Sequence, residues 1–330
     1  MSISAKVEEE DWVPPQAYYD FRPEISGNEL NGLDDPTLRP PDPILWHFDP
    51  SKTPFSELQS WYRNAVGLAE GAQQHKMANL EYRKRPQAEV AENSLDLTPA
   101  QWSEVIKKAA LEECEADVVG ICRVDPNWVF NSYEMHNKYV IIMGYSQVED
   151  ARSLASTPDA QVEYQHQYRR GNRSAIKLAN WIKNQGQMAE PHGGPDAGSM
   201  LLVPAAVKAG LGELGKHGSI ISRDLGSWFR LSCVLTNLEL EVDTPDYIGV
   251  DDFCLNCQVC SRECPVDAID DSKKMVRGVE KWYVDFDKCI PYFMTHSGCG
   301  ICIAECPWSV PGVSNKLAGK LARRRESKSS

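Results

Sequence analysis

The pattern of apolar and polar positions changes character several times along the chain. Up to about residue 55 no period is sustained. Pro14, Pro15, Pro36, Pro40, Pro41, Pro43 and Pro50 interrupt it, and interior prolines exclude long helices and central strands. Aromatics interleaved among them (Trp12, Tyr18, Tyr19, Phe21, Trp46, Phe48) predict a segment that wraps a core rather than a free tail. Residues 55–92 read as helical, with a connector over 83–97. At Thr98 the signal sharpens. Thr98 is an N-cap candidate, Pro99 suits the first helical position, and Gln101 completes a capping box. Trp102, Val105, Ile106 and Ala109 then form a helical apolar stripe.

Beyond this helix, strand-like and helix-like segments alternate. Val118 to Cys122 and Tyr139 to Met143 are short continuous apolar runs and predict buried strands. A helix is expected over about 160–185, stopped by Gly186, and another from Met200 to Ala209, closed by Gly210. Phe229 to Thr236 reads as a further strand. Alternation of this kind predicts an α/β domain over residues 98–248. After 250 the chain becomes short-period, loop-rich and rich in cysteine, which sets off a second unit over 249–312. Residues 1–97 precede as an irregular and helical segment. Residues 313–330, with Arg323-Arg324-Arg325 and Ser327 to Ser330, read as a flexible tail.

Composition narrows the function classes. With 330 residues, 42% of them hydrophobic, the chain can bury a substantial core. Mean hydropathy is −0.44, and no run of about 18 apolar residues is present, so no transmembrane helix is expected. The net charge of −12 speaks against a broad basic surface for nucleic acid. Met1 to Asp11, MSISAKVEEED, has no basic start, apolar stretch or twin arginine, which predicts a cytoplasmic protein. In that compartment thiols stay reduced, so clustered cysteines are expected to hold metal.

Eight of the eleven cysteines fall between 254 and 306. Cys254, Cys257, Cys260 and Cys264, followed by Pro265, form the bacterial ferredoxin run for [4Fe–4S] clusters. Cys289, Cys299, Cys302 and Cys306, followed by Pro307, form a second set whose first interval is stretched. Two intervening residues let successive thiolates reach the irons of one cube. Three residues later the chain has turned away, toward the other cube. This predicts one cluster on Cys254, Cys257, Cys260 and Cys306 and a second on Cys264, Cys289, Cys299 and Cys302. Four thiolates per cube leave no open iron, so the clusters should carry electrons. Structural zinc is the alternative, but it uses two cysteine pairs, not a run of four ending in proline. Cys114, Cys122 and Cys233 lie in apolar context and read as core thiols. A two-cluster ferredoxin needs only about 50 residues. The other residues should hold whatever receives the electrons.

Glycines at 210, 212, 215 and 218 make one further segment distinctive, since glycine permits positive φ and close backbone approach. The segment follows a helix, not a strand, so it is not a Rossmann fingerprint. The stretch AAVKAGLGELGKHGSII, then WFRLSCVLTNLEL, DDFCLNCQVCSRECPVDAI, GVEKWYVDFDKC and CGICIAECPWS, resembles reductive dehalogenases in that order. ADVVGICRVDPNWVF and KYVIIMGY match the preceding part of the same family, so the resemblance covers about 98–310. It implies a nitroreductase-like α/β (α+β) corrinoid-binding domain followed by a ferredoxin-like domain with two [4Fe–4S] clusters. It implies base-off cobalamin, with Gly210, Leu211, Gly212, Gly215, Lys216, His217 and Gly218 cradling its nucleotide tail. It also implies a tyrosine proton donor beside a cation. The matching helix holds Tyr168, with Tyr164 as the alternate, and the cation falls on Arg230. A phenol is a poor acid at neutral pH, and a neighbouring guanidinium stabilises the phenolate left behind.

The resemblance also marks departures. The export signal of respiratory members and the fused reductase module of self-contained catabolic members do not occur within these residues, so an external ferredoxin, flavodoxin or reductase is the expected electron donor. The expected substrate is an organohalide, a halogenated phenol first. Two alternatives stand beside it. An epoxyqueuosine-reductase-like activity would need an acidic donor in a Tyr-x-Arg-Gly-x-Asp turn, where this chain has Arg173. A non-catalytic iron–sulfur or corrinoid electron carrier is the other. His192 to Asp196 reads either as a turn or as a site-lining loop. His166 and His217 read as polar contacts or as satisfied or solvated histidines, and His296, between the cysteine sets, as a residue that supports the clusters or the fold.

Overall fold

The computed structural model describes residues 23, 25–45, 52–63, 69–194 and 198–329. Trp12, Pro14, Pro15, Tyr18, Tyr19, Phe21, Trp46, Phe48, Pro50, Pro195 and Asp196 lie outside the described residues.

In chain order the helices and strands begin with α1 (Gly27–Leu30), α2 (Ser56–Arg63), α3 (Glu70–Arg83) and α4 (Pro99–Glu112). Then come β1 (Val118–Arg123), β2 (Tyr139–Ser146), α5 (Pro158–Asn184), β3 (Ala189–His192), α6 (Leu202–Lys208), β4 (Glu213–Leu214), β5 (Ile220–Ile221) and β6 (Phe229–Thr236). The cysteine-rich part holds α7 (Val250–Asn256), α8 (Val259–Arg262), β7 (Lys274–Val276), β8 (Val279–Lys281), α9 (Phe286–Thr295), α10 (Ile301–Ala304) and α11 (Val313–Ser329).

The start of α4 is set by its capping box. The Gln101 amide donates to Thr98 Oγ1 at 3.3 Å, and the Thr98 amide donates back to Gln101 Oε1 at 2.9 Å. Four strands form one sheet in the order β1-β2-β6-β3, and each neighbouring pair is antiparallel. Alternating strands and helices therefore do not build a parallel sheet here. The architecture is mixed α and β. β2 shows why its sequence lacks alternation: both of its faces are covered. Tyr139, Ile141, Met143 and Tyr145 pack under α4 and α5, with Trp102, Ile106, Leu178 and Ile182. Val140 and Ile142 pack on the opposite face with Ala205 and Ala206 of α6 and with Cys122 and Cys233. Cys114, Cys122 and Cys233 are buried, and burial pushes their thiols up, Cys114 to about 11 and Cys122 to about 12.

The N-terminal segment, where described, closes on the cysteine-rich part. Ser26 Oγ donates to Asp287 at 2.6 Å, the Gly27 amide donates to the same carboxylate at 2.7 Å, and Asn28 donates to Asp285 at 2.8 Å. Phe55 and Leu58 pack on Phe286, Ile290 and Met294 of α9. Residues 26–58 thus close on the second domain, whereas α3 packs against α5 of the first. Residues 313–329 are not an irregular tail. They form α11, because Leu317, Ala318 and Leu321 give it an apolar stripe that packs against Ile248, Trp282 and Trp308.

Candidate active site

α5 runs 27 residues and presents Tyr164 and Tyr168, one turn apart, toward β6. On β6, Arg230 lies opposite Tyr145 of β2. The Arg230 guanidinium carbon stands 4.9 Å from the Tyr164 ring centre and 5.6 Å from that of Tyr168. Such distances are within cation–π range. The arginine expected from sequence and both candidate tyrosines thus meet in one place. Among the described residues no carboxylate pairs with Arg230, and its buried Nε has no hydrogen-bond partner.

The two tyrosines are not equivalent. Tyr164 is buried, and its hydroxyl donates to the Cys299 carbonyl at 3.1 Å. Burial pushes its phenol up to about 12, with Arg230 pulling the other way. Its ring meets Trp228 edge-on at 6.0 Å, and Trp228 Nε1 is fixed by the Val148 carbonyl at 3.1 Å. Tyr168 is half-buried and lines a cavity instead.

That cavity, of about 160 Å³, is lined by Tyr168, Trp228 and Arg230 together with Cys264, Cys289, Cys299, Cys302, Tyr292, Phe293 and Ile303. These four cysteines come from two stretches of chain and are the set expected to share one cube. Cys254, Cys257, Cys260 and Cys306 form a second neighbourhood: Cys306 feels the charge of Cys254, Cys260 and Cys257, Cys254 feels Cys260 and Cys257, and Cys260 feels Cys257. Burial raises the thiols of Cys254, Cys260, Cys289, Cys299, Cys302 and Cys306. Cys254, Cys289 and Cys306 reach about 12. Among the described residues no three His, Cys, Asp or Glu side chains close on a single metal ion. Thiols spaced around a void suit a multi-iron cluster better than tetrahedral zinc.

The glycine-rich loop is mostly buried, and its glycines face protein. A Cβ on Gly212 would stand 2.0 Å from the Ile221 carbonyl oxygen, and one on Gly210 2.5 Å from that of Thr244. Gly215 faces the His217 ring and Gly218 faces Val284. The glycine spacing is therefore explained by packing within the chain rather than by an open phosphate cradle. Of the loop, Gly218 alone is exposed. Leu211 and His217 are buried. The His217 ring accepts from the Ser219 amide at Nδ1 (3.2 Å), which leaves Nε2–H to donate to Ser227 Oγ at 2.9 Å. Lys216 is 1% exposed and lies over Trp282, beside Cys254 and Cys260.

Among the other histidines, His166 pairs with Glu163 at 3.3 Å and His296 stacks on Tyr292 at 3.7 Å. In the 192–194 loop, Gly194 packs on the Tyr168 ring and its carbonyl accepts from Asn172 Nδ2 at 2.5 Å. The sequence reading missed Tyr62, on α2. Its hydroxyl stands 2.7 Å from where a Gly298 Cβ would be, and its ring is 5.8 Å from Phe293. Nothing local marks Tyr62; only the docking of α2 on α9 brings it there.

Comparison with known proteins fits this arrangement. Residues 253–310 match the model of the 4Fe-4S dicluster domain. A tetrachloroethene reductive dehalogenase of Desulfitobacterium hafniense is 30% identical over 222 residues, covering 62% of this chain and 39% of that protein. The catabolic reductive dehalogenase NpRdhA superposes with a TM-score of 0.73 at 24% identity, over 92% of this chain and 47% of its own. NpRdhA in complex with 3-bromo-4-hydroxybenzoic acid gives 0.69 at 27% identity, over 82% and 41%. An epoxyqueuosine reductase of Synechocystis is 32% identical over 161 residues, covering 43% of this chain and 51% of that protein. The chain thus spans about two fifths to one half of the dehalogenases it matches. In cysteine pattern, fold and sequence this chain is similar to reductive dehalogenases, and its residues 253–310 match a two-cluster iron–sulfur domain.

Proposed function

We propose that this chain is the cluster-bearing and proton-donating part of a reductive dehalogenase that removes halogen from a halogenated phenol. The observation that carries the reading is that Tyr168 and Arg230 line the same cavity as Cys264, Cys289, Cys299 and Cys302. Electron carriers and proton donor thus stand within one void.

In this reading Cys254, Cys257, Cys260 and Cys306 hold one cluster, and Cys264, Cys289, Cys299 and Cys302 hold the other. The residues fit such clusters: two sets of four thiols, the second gathered along the wall of one cavity. Full thiolate ligation reserves the cubes for electron transfer. Cobalamin, when bound, supplies the cobalt that delivers electrons to the carbon–halogen bond. The corrinoid-binding domain is then the nitroreductase-like sheet and helices of residues 98–248. What the glycine-rich loop offers cobalamin is the backbone around exposed Gly218. The buried Gly212, Gly215 and His217 fix the loop's shape.

The overall balance is an organohalide plus two electrons and one proton, giving the dehalogenated product and a halide ion. Clusters held on these two cysteine sets would pass single electrons from an external donor. The proton comes from Tyr168. Tyr168 lines the cavity, whereas the Tyr164 proton is already committed to the Cys299 carbonyl. The Arg230 guanidinium, whose buried Nε has no hydrogen-bond partner among the described residues, stabilises the phenolate that Tyr168 becomes. The same cation, aided by the aromatic faces of Trp228, Tyr292 and Phe293, favours a planar substrate bearing a phenolate. The alternative tRNA-modifying chemistry needs an acid near position 173. Arg173 stands there and is ion-paired to Glu115.

The test is halide release. Anaerobically reconstituted protein given cobalamin, a low-potential donor and a bromophenol should release bromide in step with the phenol formed. Absence of bromide from protein that holds cobalamin and both clusters would remove the reading.

A further inference from the structure

Lys216 is among the most deeply buried large side chains in the chain, at 1% exposure. Its ammonium has no hydrogen-bond partner. The nearest carboxylate, Asp271, is 3.5 Å away, on a side chain that is 60% exposed. A contact that long to a solvated carboxylate is weak compensation for a desolvated cation. Asp271 is also engaged elsewhere, accepting from Gln258 and Ser261 at 3.3 Å each. Trp282 offers its face 5.0 Å from the Lys216 nitrogen, a further partial offset. An unpaired buried ammonium is costly enough that folded proteins supply it with an anion.

The groups around it identify that anion. The Lys216 ammonium pulls electrostatically on the thiols of Cys254 and Cys260, and its backbone N–H is turned to Cys254. Cys254, Cys306 and Trp282 belong to one packed core. Four thiolates on an iron–sulfur cube carry a net negative charge that grows on reduction. A buried cation at their edge therefore stabilises the reduced cube more than the oxidised one. Charge, hydrogen bonds to sulfur and solvent exposure are what set cluster potentials.

We propose that Lys216 is a positioning and tuning residue for the cluster on Cys254, Cys257, Cys260 and Cys306, raising its reduction potential and so setting the order in which the two clusters fill. The proposal rests on the two-cluster reading above. It gives the glycine-rich loop a part in redox tuning. The tight packing of Gly212 on Ile221 and of Gly215 on His217 holds Lys216 out of water and against the cube.

The experiment is an EPR-monitored redox titration of the reconstituted protein, alongside Lys216→Met and Lys216→Arg. Iron and sulfide are counted first. Wild-type protein lacking two clusters would count against the cluster reading itself, before any variant is compared. With both clusters present, Lys216→Met should shift the reduction equilibrium of one cluster tenfold or more toward the oxidised form, about 59 mV for one electron. The other cluster should not move, and Lys216→Arg should restore most of the shift. Unmoved potentials in Lys216→Met, or equal shifts in both clusters, overturn the proposal. Should Lys216→Met fail to hold its clusters, Lys216→Arg decides. Clusters retained at near wild-type potential support a role for the charge, and clusters lost overturn it.

Discussion

The Arg230 guanidinium sits between two tyrosines of one helix, 4.9 Å from the Tyr164 ring centre and 5.6 Å from that of Tyr168, yet only Tyr168 opens on the cavity. The nearer ring is the one whose proton is occupied, by the Cys299 carbonyl. Tyr168→Phe should therefore lower halide release by roughly 10²–10⁴, the usual share of general acid catalysis, with iron and cobalamin content unchanged. Tyr164→Phe should cost less turnover and some stability, since it loses one buried hydrogen bond, worth about 1 kcal/mol. Arg230→Met should act on the same proton transfer, so the double variant with Tyr168→Phe should lose less than the product of the single losses. Equal effects of the two tyrosine variants on turnover would contradict this division.

The cysteine sets make a prediction that sequence neighbours alone would not. Cys264 is four residues from Cys260 but lines the cavity with Cys289, Cys299 and Cys302, while Cys306 stands with the earlier set. Single replacement of Cys254 or Cys306 by Ala, and the two together, should each leave about four irons of the expected eight. Combining Cys254→Ala with Cys264→Ala should leave almost none. Iron and acid-labile sulfide assays after anaerobic reconstitution read this directly. Near-complete iron loss in Cys254→Ala/Cys306→Ala would mean that the sets are exchanged.

Much of this was legible in the residues, for a physical reason. Capping boxes, buried strands and ferredoxin spacing are local constraints, so Thr98, the β2 run and the cysteine sets announce themselves. The meeting of Tyr168 and Arg230 was accessible only through resemblance, because α5 and β6 are far apart in sequence. Tyr62 was illegible, since it reaches the site through the docking of α2 on α9. The glycines of 210–218 were visible, but not the chain segments they pack against. Glycine reports a close approach without saying whether a ligand or the chain's own backbone makes it, and here Ile221 and Thr244 do. The stripe of α11 lay within a charged, serine-ended stretch that masked it.

That last distinction can be measured at Gly212. A Cβ there would stand 2.0 Å from a backbone oxygen, which cannot rotate away. Gly212→Ala should lower stability by about 1–3 kcal/mol, as overpacked sites do, even in protein without cobalamin. The thermal midpoint of cobalamin-free protein is the reading. If Gly212→Ala keeps the wild-type midpoint and loses only cobalamin, the loop is a ligand cradle after all.

His217 gives a pH dependence whose sign follows from its surroundings. Burial lowers its folded-state pKa from the ordinary 6.5 to about 4, and the neutral ring is held between the Ser219 amide and Ser227 Oγ. Between pH 6.5 and 4 the unfolded chain binds a proton there that the folded chain refuses. Stability must then rise with pH across that window. The contribution is fully present above pH 6.5 and is lost progressively as pH falls, to a total on the order of 3 kcal/mol near pH 4. His217→Gln keeps a donor and an acceptor but cannot titrate. It should be less stable than wild type at pH 7.5, where the packed ring is lost, and that gap should narrow as pH falls toward 5. Comparing the two proteins at each pH cancels the acid sensitivity that both share through their clusters. A gap that stays constant from pH 7.5 to 5 would show that His217 does not carry the titration assigned to it.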